Sequence, residues 1–90
     1  MNETRLPRQE IGERGSRIYR ARLPELLQAG ARGLFVAIDI LSEEYEVAEE
    51  ARVASERLKA KNPGAQILVE RIGYPAAFTA FTALSSRVRS

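Results

Sequence analysis

The most constraining feature of this chain is the run GLFVAIDI at residues 33–40, because a short apolar run rich in β-branched and aromatic residues is typical of a β-strand. Successive side chains of a strand point to its two opposite faces. One face would carry Leu34, Val36, Ile38 and Ile40, and the other would carry Phe35, Ala37 and Asp39. The run therefore predicts a buried strand that ends with a carboxylate.

A second strand and a helix are predicted after this run. The polar corner LSEE at residues 41–44 leads to a short strand at residues 45–47, and the two strands form a β-hairpin. A helix is expected from about Ala48 to about Lys61, followed by the helix-stopping sequence NPG at residues 62–64. Its buried stripe would consist of Val47, Ala51, Ala54 and Leu58.

Residues 66–72 are predicted to form a third strand. Leu68, Glu70 and Ile72 alternate there with Ile67, Val69 and Arg71. Because both faces are partly apolar, we expect this strand to lie centrally in the sheet. If it pairs in parallel with the first strand, the crossover should be right-handed.

The N-terminal part of the chain is predicted to be helical but interrupted. Gly12 and Gly15 weaken the first half of this helix, and Pro24 lacks the backbone N–H needed to continue its hydrogen-bond ladder. One bent helix and two short helices, at residues 9–22 and 24–29, are both compatible with this pattern.

The predicted fold class is α+β, in one small domain that covers residues 9–84. Its order is an N-terminal helix or two short helices, a β-hairpin, a helix and a strand. We expect a sheet of three or four strands with the helices on one face. Residues 1–8 are expected to be a disordered arm and residues 85–90 a frayed basic tail, while residues 74–84 are compatible with helix or strand.

Composition excludes several kinds of chemistry. The 90-residue chain contains no cysteine and no histidine, so it has no disulfides, no thiol or imidazole catalysis and no ordinary zinc site. No apolar run approaches the roughly 20 residues of a membrane-spanning helix, and the first ten residues are polar. We expect a non-enzymatic, soluble cytoplasmic protein with no cofactor and no membrane association.

The charges follow a basic–acidic–basic order. Residues 1–33 contain seven Arg and four Glu, residues 34–51 contain one Asp and five Glu, and residues 52–90 contain seven basic and two acidic residues. The formal net charge is +2. This order favours self-association or an oppositely charged protein partner, and it is weaker than the concentrated basic face of a dedicated nucleic-acid binder.

Four short motifs give the chain a resemblance to a family. They are GLFVAID at residues 33–39, YEV at residues 45–47, NPGA at residues 62–65 and ERIGY at residues 70–74. The pattern over about residues 16–75 resembles a group of small uncharacterised bacterial α/β proteins. This chain departs from that pattern at the hairpin, where Glu43 and Glu44 replace Gly-Asp. The resemblance implies a scaffold similar in size to antitoxin-like and accessory proteins, and no known activity.

Two carboxylate features are candidate sites. The acidic cluster at residues 39–50 has the ligand type of Mg²⁺ or Ca²⁺, but it lacks a calcium-type loop, so a solvated acidic edge is the preferred interpretation. Asp39 lies on a buried-looking strand and needs a donor. We expect a structural ion pair between Asp39 and Arg71 rather than a catalytic carboxylate.

The arginines of the N-terminal helix support two alternatives. Three arginines share its polar side, where they could contact phosphates: Arg14, Arg17 and Arg20. Two glutamates are spaced to neutralise part of this charge, in the pairs Glu10–Arg14 and Glu13–Arg17. Nucleic-acid binding through this helix is therefore the alternative function.

The expected function is non-catalytic association with a protein partner or a second copy, as an antitoxin-like protein or regulatory subunit. The candidate interface consists of Arg22, Tyr74, Phe78 and Phe81. Arg22 falls toward the apolar side of its helix, and the three aromatic side chains lie in a segment that no other predicted element covers.

Overall fold

The computed structural model describes residues 6–74 and confirms the predicted α+β order. Its elements are α1 (Arg8–Gln28), β1 (Phe35–Asp39), β2 (Tyr45–Ala48), α2 (Ala51–Lys61) and β3 (Ile67–Arg71). The interpretations of the tail, including Phe78, Phe81 and residues 85–90, lie outside the described residues. No helix within residues 6–74 combines the length and apolar character needed to cross a membrane.

The sheet of the described chain has three strands in the order β2-β1-β3, and both pairings are antiparallel. Within residues 6–74 the predicted central position of the third strand is therefore wrong, because β1 is central and β3 lies at an edge of the described sheet. β2 and β3 run in the same direction on either side of β1, and α2 crosses over the sheet between them. Strand β3 carries apolar residues on both faces because each face is covered by a helix.

The two helices lie on opposite faces of the sheet, so the expectation of helices on one face is also wrong. On the α1 face the buried core contains Tyr19, Leu26, Ala31, Val36, Ile38 and Ile72. On the α2 face it contains Ala37, Ala48, Ala54, Leu58 and Val69. This arrangement gives β1 the alternation predicted for it and buries both of its faces: Val36, Ala37, Ile38 and Asp39 are all fully buried.

Helix α1 is one continuous helix that contains Pro24, so the alternative with two helices is not observed. It begins at Arg8, and the N–H of Leu6 donates a hydrogen bond to Gln66 Oε1 at 2.9 Å. Helix α1 therefore begins one residue before the domain boundary that the sequence predicts at residue 9. Gly30, with φ +80°, follows the helix end, where glycine is the residue with the lowest conformational cost.

Helix α2 begins three residues later than predicted, because Ala48 is still part of β2. Glu50 is the residue before the helix, and it forms no side-chain capping hydrogen bond. The predicted buried stripe holds for Ala54 and Leu58, which are fully buried. Val47 instead packs against the core of the α1 face, because strand alternation determines its direction.

The hairpin turn contains a residue in an unusual conformation. Glu43 has φ 68°, in the left-handed region that favours glycine. It occupies the position at which the resembled pattern has glycine. The turn is closed by hydrogen bonds from Glu43 N to Asp39 O at 2.7 Å and from Asp39 N to Glu44 O at 2.9 Å. The turn therefore closes without a glycine at this position, at the cost of a strained backbone at Glu43.

Candidate functional site

Asp39 is the centre of a buried hydrogen-bond network and not the partner of Arg71. One carboxylate oxygen accepts from the backbone N–H of Leu41 at 3.1 Å and of Gln66 at 3.2 Å. The other accepts from Ser42 Oγ at 2.9 Å and from Asn62 Nδ2 at 2.6 Å. These bonds join the hairpin turn to the loop before β3, so the role of Asp39 is structural.

The predicted ion pair between Asp39 and Arg71 is wrong because of the register of the sheet. Arg71 lies opposite Phe35, whereas Asp39 lies opposite Ile67 at the other end of the antiparallel pair. Arg71 instead donates through Nε to the carbonyl oxygen of Gly33 at 3.1 Å. Its guanidinium carbon lies 4.1 Å from the ring centroid of Tyr74, which is a cation–π distance.

The turn after β3 is held against α1 by one tyrosine hydroxyl. The N–H of Gly73 donates to Tyr19 Oη at 3.2 Å, and this hydroxyl in turn lies 3.4 Å from the carbonyl oxygen of Arg71. The N–H of Tyr74 also donates to Arg71 O, and Gly73 has φ +84°, which a non-glycine residue rarely adopts. The position of Tyr74 is therefore determined by α1 and by a glycine turn.

A cleft of about 440 Å³ opens between α1, the loop after it and this turn. We call it the Glu70 cleft. It is lined by Ser16, Tyr19, Arg20, Leu23, Leu27, Arg32, Glu70, Gly73 and Tyr74. It combines an apolar side, two arginines and one carboxylate, which is the mixture expected of a small binding site.

Glu70 is the most unusual residue of the cleft. It lies on β3 between Leu68 and Ile72 and is only 4% exposed. Its carboxylate forms no hydrogen bond or ion pair with any residue from 6 to 74, and burial raises its pKa above the usual value. A buried carboxylate without a partner is costly, because its charged form loses hydration without compensation.

Two arginines border the cleft without neutralising this carboxylate. Arg20 and Arg32 are exposed, and neither forms an ion pair within the described part of the chain. Arg32 packs over the turn, since a Cβ at Gly73 would lie 2.9 Å from Arg32 Cγ. Burial is the cause of the raised pKa of Glu70, and the two cations do not offset it.

The apolar side of the cleft is partly open to solvent. Leu27 is 38% exposed and Tyr74 is 47% exposed. Within residues 6–74 the third exposed large hydrophobic side chain is Leu41, at the hairpin turn and outside the cleft. Leu23, which also lines the cleft, packs partly against the α1-face core.

The three arginines predicted to share the polar side of α1 have different surroundings: Arg14 and Arg17 line one groove, and Arg20 lines the Glu70 cleft. Arg14 is paired with Glu10 at 2.7 Å, as expected from their spacing. Arg17 is exposed without an ion pair to residues 6–74, so the predicted Glu13–Arg17 pair is not formed. Glu13 accepts a hydrogen bond from Gln9 Nε2 at 3.4 Å. Arg20 points to the Glu70 cleft instead.

Arg22 does not join Tyr74 in the described structure. Its guanidinium lies 3.9 Å from the carboxylate of Glu25, and its Nε is buried without a hydrogen-bond partner. Glu25 also accepts from the hydroxyl of Tyr45 at 3.2 Å. Burial, together with this hydrogen bond, raises the pKa of Tyr45. Arg22 thus belongs to a cluster between α1 and β2, away from the cleft.

The acidic cluster is an edge of paired and solvated carboxylates. Glu46 pairs with Lys61 at 2.7 Å and Glu50 pairs with Arg52 at 3.5 Å. No group of three or more potential ligands among residues 6–74 is arranged to hold a metal ion.

The sequence signal for the cleft was present but incomplete. Alternation in β3 places Glu70 on the same face as Leu68 and Ile72, so a charged residue was visible on an apolar face. Neither Tyr19 nor Arg32 could be connected to it, because they belong to distant segments. A carboxylate between two buried apolar positions of a strand was the signal that could have identified Glu70.

We expect Glu70→Gln to stabilise the protein at neutral pH by about 1–2 kcal/mol. The folded-state pKa of Glu70 is raised, so the folded protein tolerates the protonated carboxyl and disfavours the charged one. The penalty is absent below the unfolded-state pKa and develops as the pH rises through the folded-state pKa. Urea denaturation at pH 7 measures the stability with Glu70 charged in the unfolded state, and the same measurement below about pH 4 gives the stability with the carboxyl protonated.

The matched control for this substitution is Glu49→Gln, at an exposed glutamate outside the cleft. It should change stability little at either pH. Equal stability of Glu70→Gln and the unmodified protein at pH 7 would contradict the assignment of an uncompensated buried charge.

A scan against protein-family models found no match, and no curated protein or solved structure proved similar to this chain.

Proposed function

We propose that this protein is a non-catalytic interaction protein, of the antitoxin or regulatory-subunit type, that binds a protein partner through the surface around the Glu70 cleft. The observation that carries this proposal is the position of the exposed apolar side chains. Two of the three in residues 6–74, Leu27 and Tyr74, border the same cleft. Apolar side chains grouped around a polar pocket are typical of a surface that a partner covers.

The chemistry of the cleft favours binding over catalysis. The chain has no histidine or cysteine, and Glu70 is the one carboxylate that lines the cleft. The hydroxyl of Tyr19 is engaged with the backbone of the turn at Arg71 and Gly73. A general acid–base mechanism needs a positioned second group, and the cleft offers arginines in that place.

Leu27→Asp should abolish partner association, because it places a charge on the apolar side of the cleft. The matched control is Leu41→Asp, which introduces the same charge at a side chain that is 54% exposed and outside the cleft. The protein, tagged and crosslinked in its own host, is recovered with its partner and quantified by mass spectrometry. Sedimentation of the purified protein at micromolar concentration tests a second copy as the partner.

The expected result is a stoichiometric partner, or a dimer, that is lost with Leu27→Asp and retained with Leu41→Asp. A monomer without a stoichiometric partner in its host would contradict the proposal. Equal loss with both variants would place the interface elsewhere.

Nucleic-acid binding is the second candidate, and the exposed Arg17 and Arg20 favour it. Both lack an ion pair within the described residues, whereas Arg14 is engaged by Glu10. A free guanidinium can neutralise a phosphate and release its counterions.

For this alternative, replacing Arg17 and Arg20 by alanine should weaken binding to duplex DNA or RNA and flatten its salt dependence by about one to two units of slope. Arg52→Ala, on α2 and already paired with Glu56, is the control. Fluorescence anisotropy at low and moderate salt measures the slope. No binding at low salt, where electrostatic affinity is greatest, would exclude this alternative.

A further inference from the structure

We propose that the Glu70 cleft receives a basic side chain of the partner, a lysine or an arginine, from a segment in which acidic residues flank that side chain. This inference rests on the proposed function and names the chemistry that the partner would present. Three properties of the cleft support it: an apolar side, a carboxylate without a partner among residues 6–74, and two arginines without an ion pair in the same part of the chain.

The carboxylate of Glu70 has no hydrogen-bond donor within the described chain. Glu70 as a residue is only 4% exposed, and its carboxylate lines the cleft without a hydrogen bond to residues 6–74. A cationic side chain would supply both hydrogen-bond donors and the missing charge. A neutral or anionic side chain would leave the carboxylate uncompensated, and an anionic one would add repulsion.

The apolar side of the cleft fits the aliphatic stem of such a side chain. Leu23, Leu27 and the ring of Tyr74 line it. Lysine and arginine bury their methylene groups along apolar surface while the charged end reaches a polar partner. The volume of about 440 Å³ exceeds that of one side chain, so residues next to the basic one also have room.

Arg20 and Arg32 determine which residues can flank the basic side chain. Both line the cleft with no ion pair inside residues 6–74, so they would repel a purely cationic segment. Acidic residues beside the basic one would pair with these arginines and remove the repulsion. Bidentate geometry makes carboxylates good partners for guanidinium groups. The complementary segment therefore alternates acidic, basic and acidic residues.

The probe for this inference is the blocked peptide acetyl-Glu-Arg-Glu-amide, titrated into the ¹⁵N-labelled full chain. We expect saturable chemical-shift changes at the amides of Glu70 and Gly73. The peptide acetyl-Glu-Gln-Glu-amide should bind at least about tenfold more weakly, because it lacks the cation. Glu70→Gln should reduce binding of the arginine peptide to the level of the glutamine peptide, while Glu49→Gln should leave it unchanged.

A second variant tests the flanking positions. Arg20→Ala should weaken binding of acetyl-Glu-Arg-Glu-amide and bring it close to that of acetyl-Gly-Arg-Gly-amide. Arg20 is exposed and belongs to no ion pair of the described chain, so its removal should leave the fold intact. The amide spectrum of each variant checks this directly.

Equal binding of the arginine and glutamine peptides would overturn the inference and identify an anion site at the arginines only. Binding that is unchanged in Glu70→Gln would also overturn it. If no peptide binds while a partner is still lost with Leu27→Asp, the inference fails and the proposed function stands. If the arginine peptide binds as expected and no protein partner exists, the proposed function fails instead.

Discussion

Replacing Asp39 by alanine is expected to lower the free energy of unfolding by about 3–4 kcal/mol. The substitution removes the acceptor of four hydrogen bonds and leaves the backbone N–H groups of Leu41 and Gln66 without their partner. Asp39 is fully buried, so water replaces that partner poorly. For a domain of this size the loss is a large fraction of a total of about 5–13 kcal/mol.

Two controls make the measurement specific. Asp39→Asn keeps the size and one acceptor oxygen, so it should cost less, about 1–2 kcal/mol. Arg71→Ala removes an exposed side chain and should cost less than about 1 kcal/mol, with no coupling to Asp39→Ala in a double-mutant cycle. Urea denaturation measures the unmodified protein, the three single variants and the double variant. A coupling free energy above about 0.5 kcal/mol between Asp39 and Arg71 would indicate the ion pair that the register excludes.

Gly15→Ala is expected to destabilise the protein by about 2–3 kcal/mol, although alanine is the better helix former by about 1 kcal/mol. A Cβ at Gly15 would lie 2.7 Å from Leu68 Cβ and 3.0 Å from Leu68 Cγ. Leu68 is fully buried in the sheet, and a Cβ cannot move away by changing rotamer. Helix α1 would have to move away from β3.

The same substitution at Gly64 is the control, because the nearest atom to its added Cβ would be Asn62 Oδ1 at 3.9 Å. Gly64→Ala should change stability by less than about 0.5 kcal/mol. Hydrogen exchange gives a second readout, since a displaced α1 would release the Gly73 N–H from Tyr19. Unchanged or increased stability of Gly15→Ala would show that the helix propensity outweighs the contact.

Both predictions bear on the cleft because the same contacts position its walls. Gly15 allows α1 to lie close to β3, and the next turn of the helix brings Tyr19 to the turn that contains Gly73. Asp39 holds the opposite end of β3 through Gln66. Glu70 therefore lies on a strand that is anchored at both ends, which is the condition for a preformed pocket.

The sequence by itself determined the elements and the direction of their side chains. Alternation within residues 33–40 and 66–72 predicted which side chains share a face of each strand, because the two-residue period is a local property of the backbone. Glycine and proline likewise indicated the C-terminal ends of both helices to within a few residues, since their conformational limits are local. A carboxylate at residue 39 that needs donors could also be predicted from this pattern.

Tertiary structure decided which faces and ends meet. Whether α1 and α2 share a face of the sheet, and whether β3 lies at an edge, depends on the packing of segments far apart in the chain. The hydrogen-bond partners of Asp39 could not be predicted from the sequence for the same reason. Antiparallel register places Arg71, the predicted partner, at the far end of β3. Glu70 becomes a site only when α1 covers it, since burial and charge compensation are properties of the assembled fold and not of one segment.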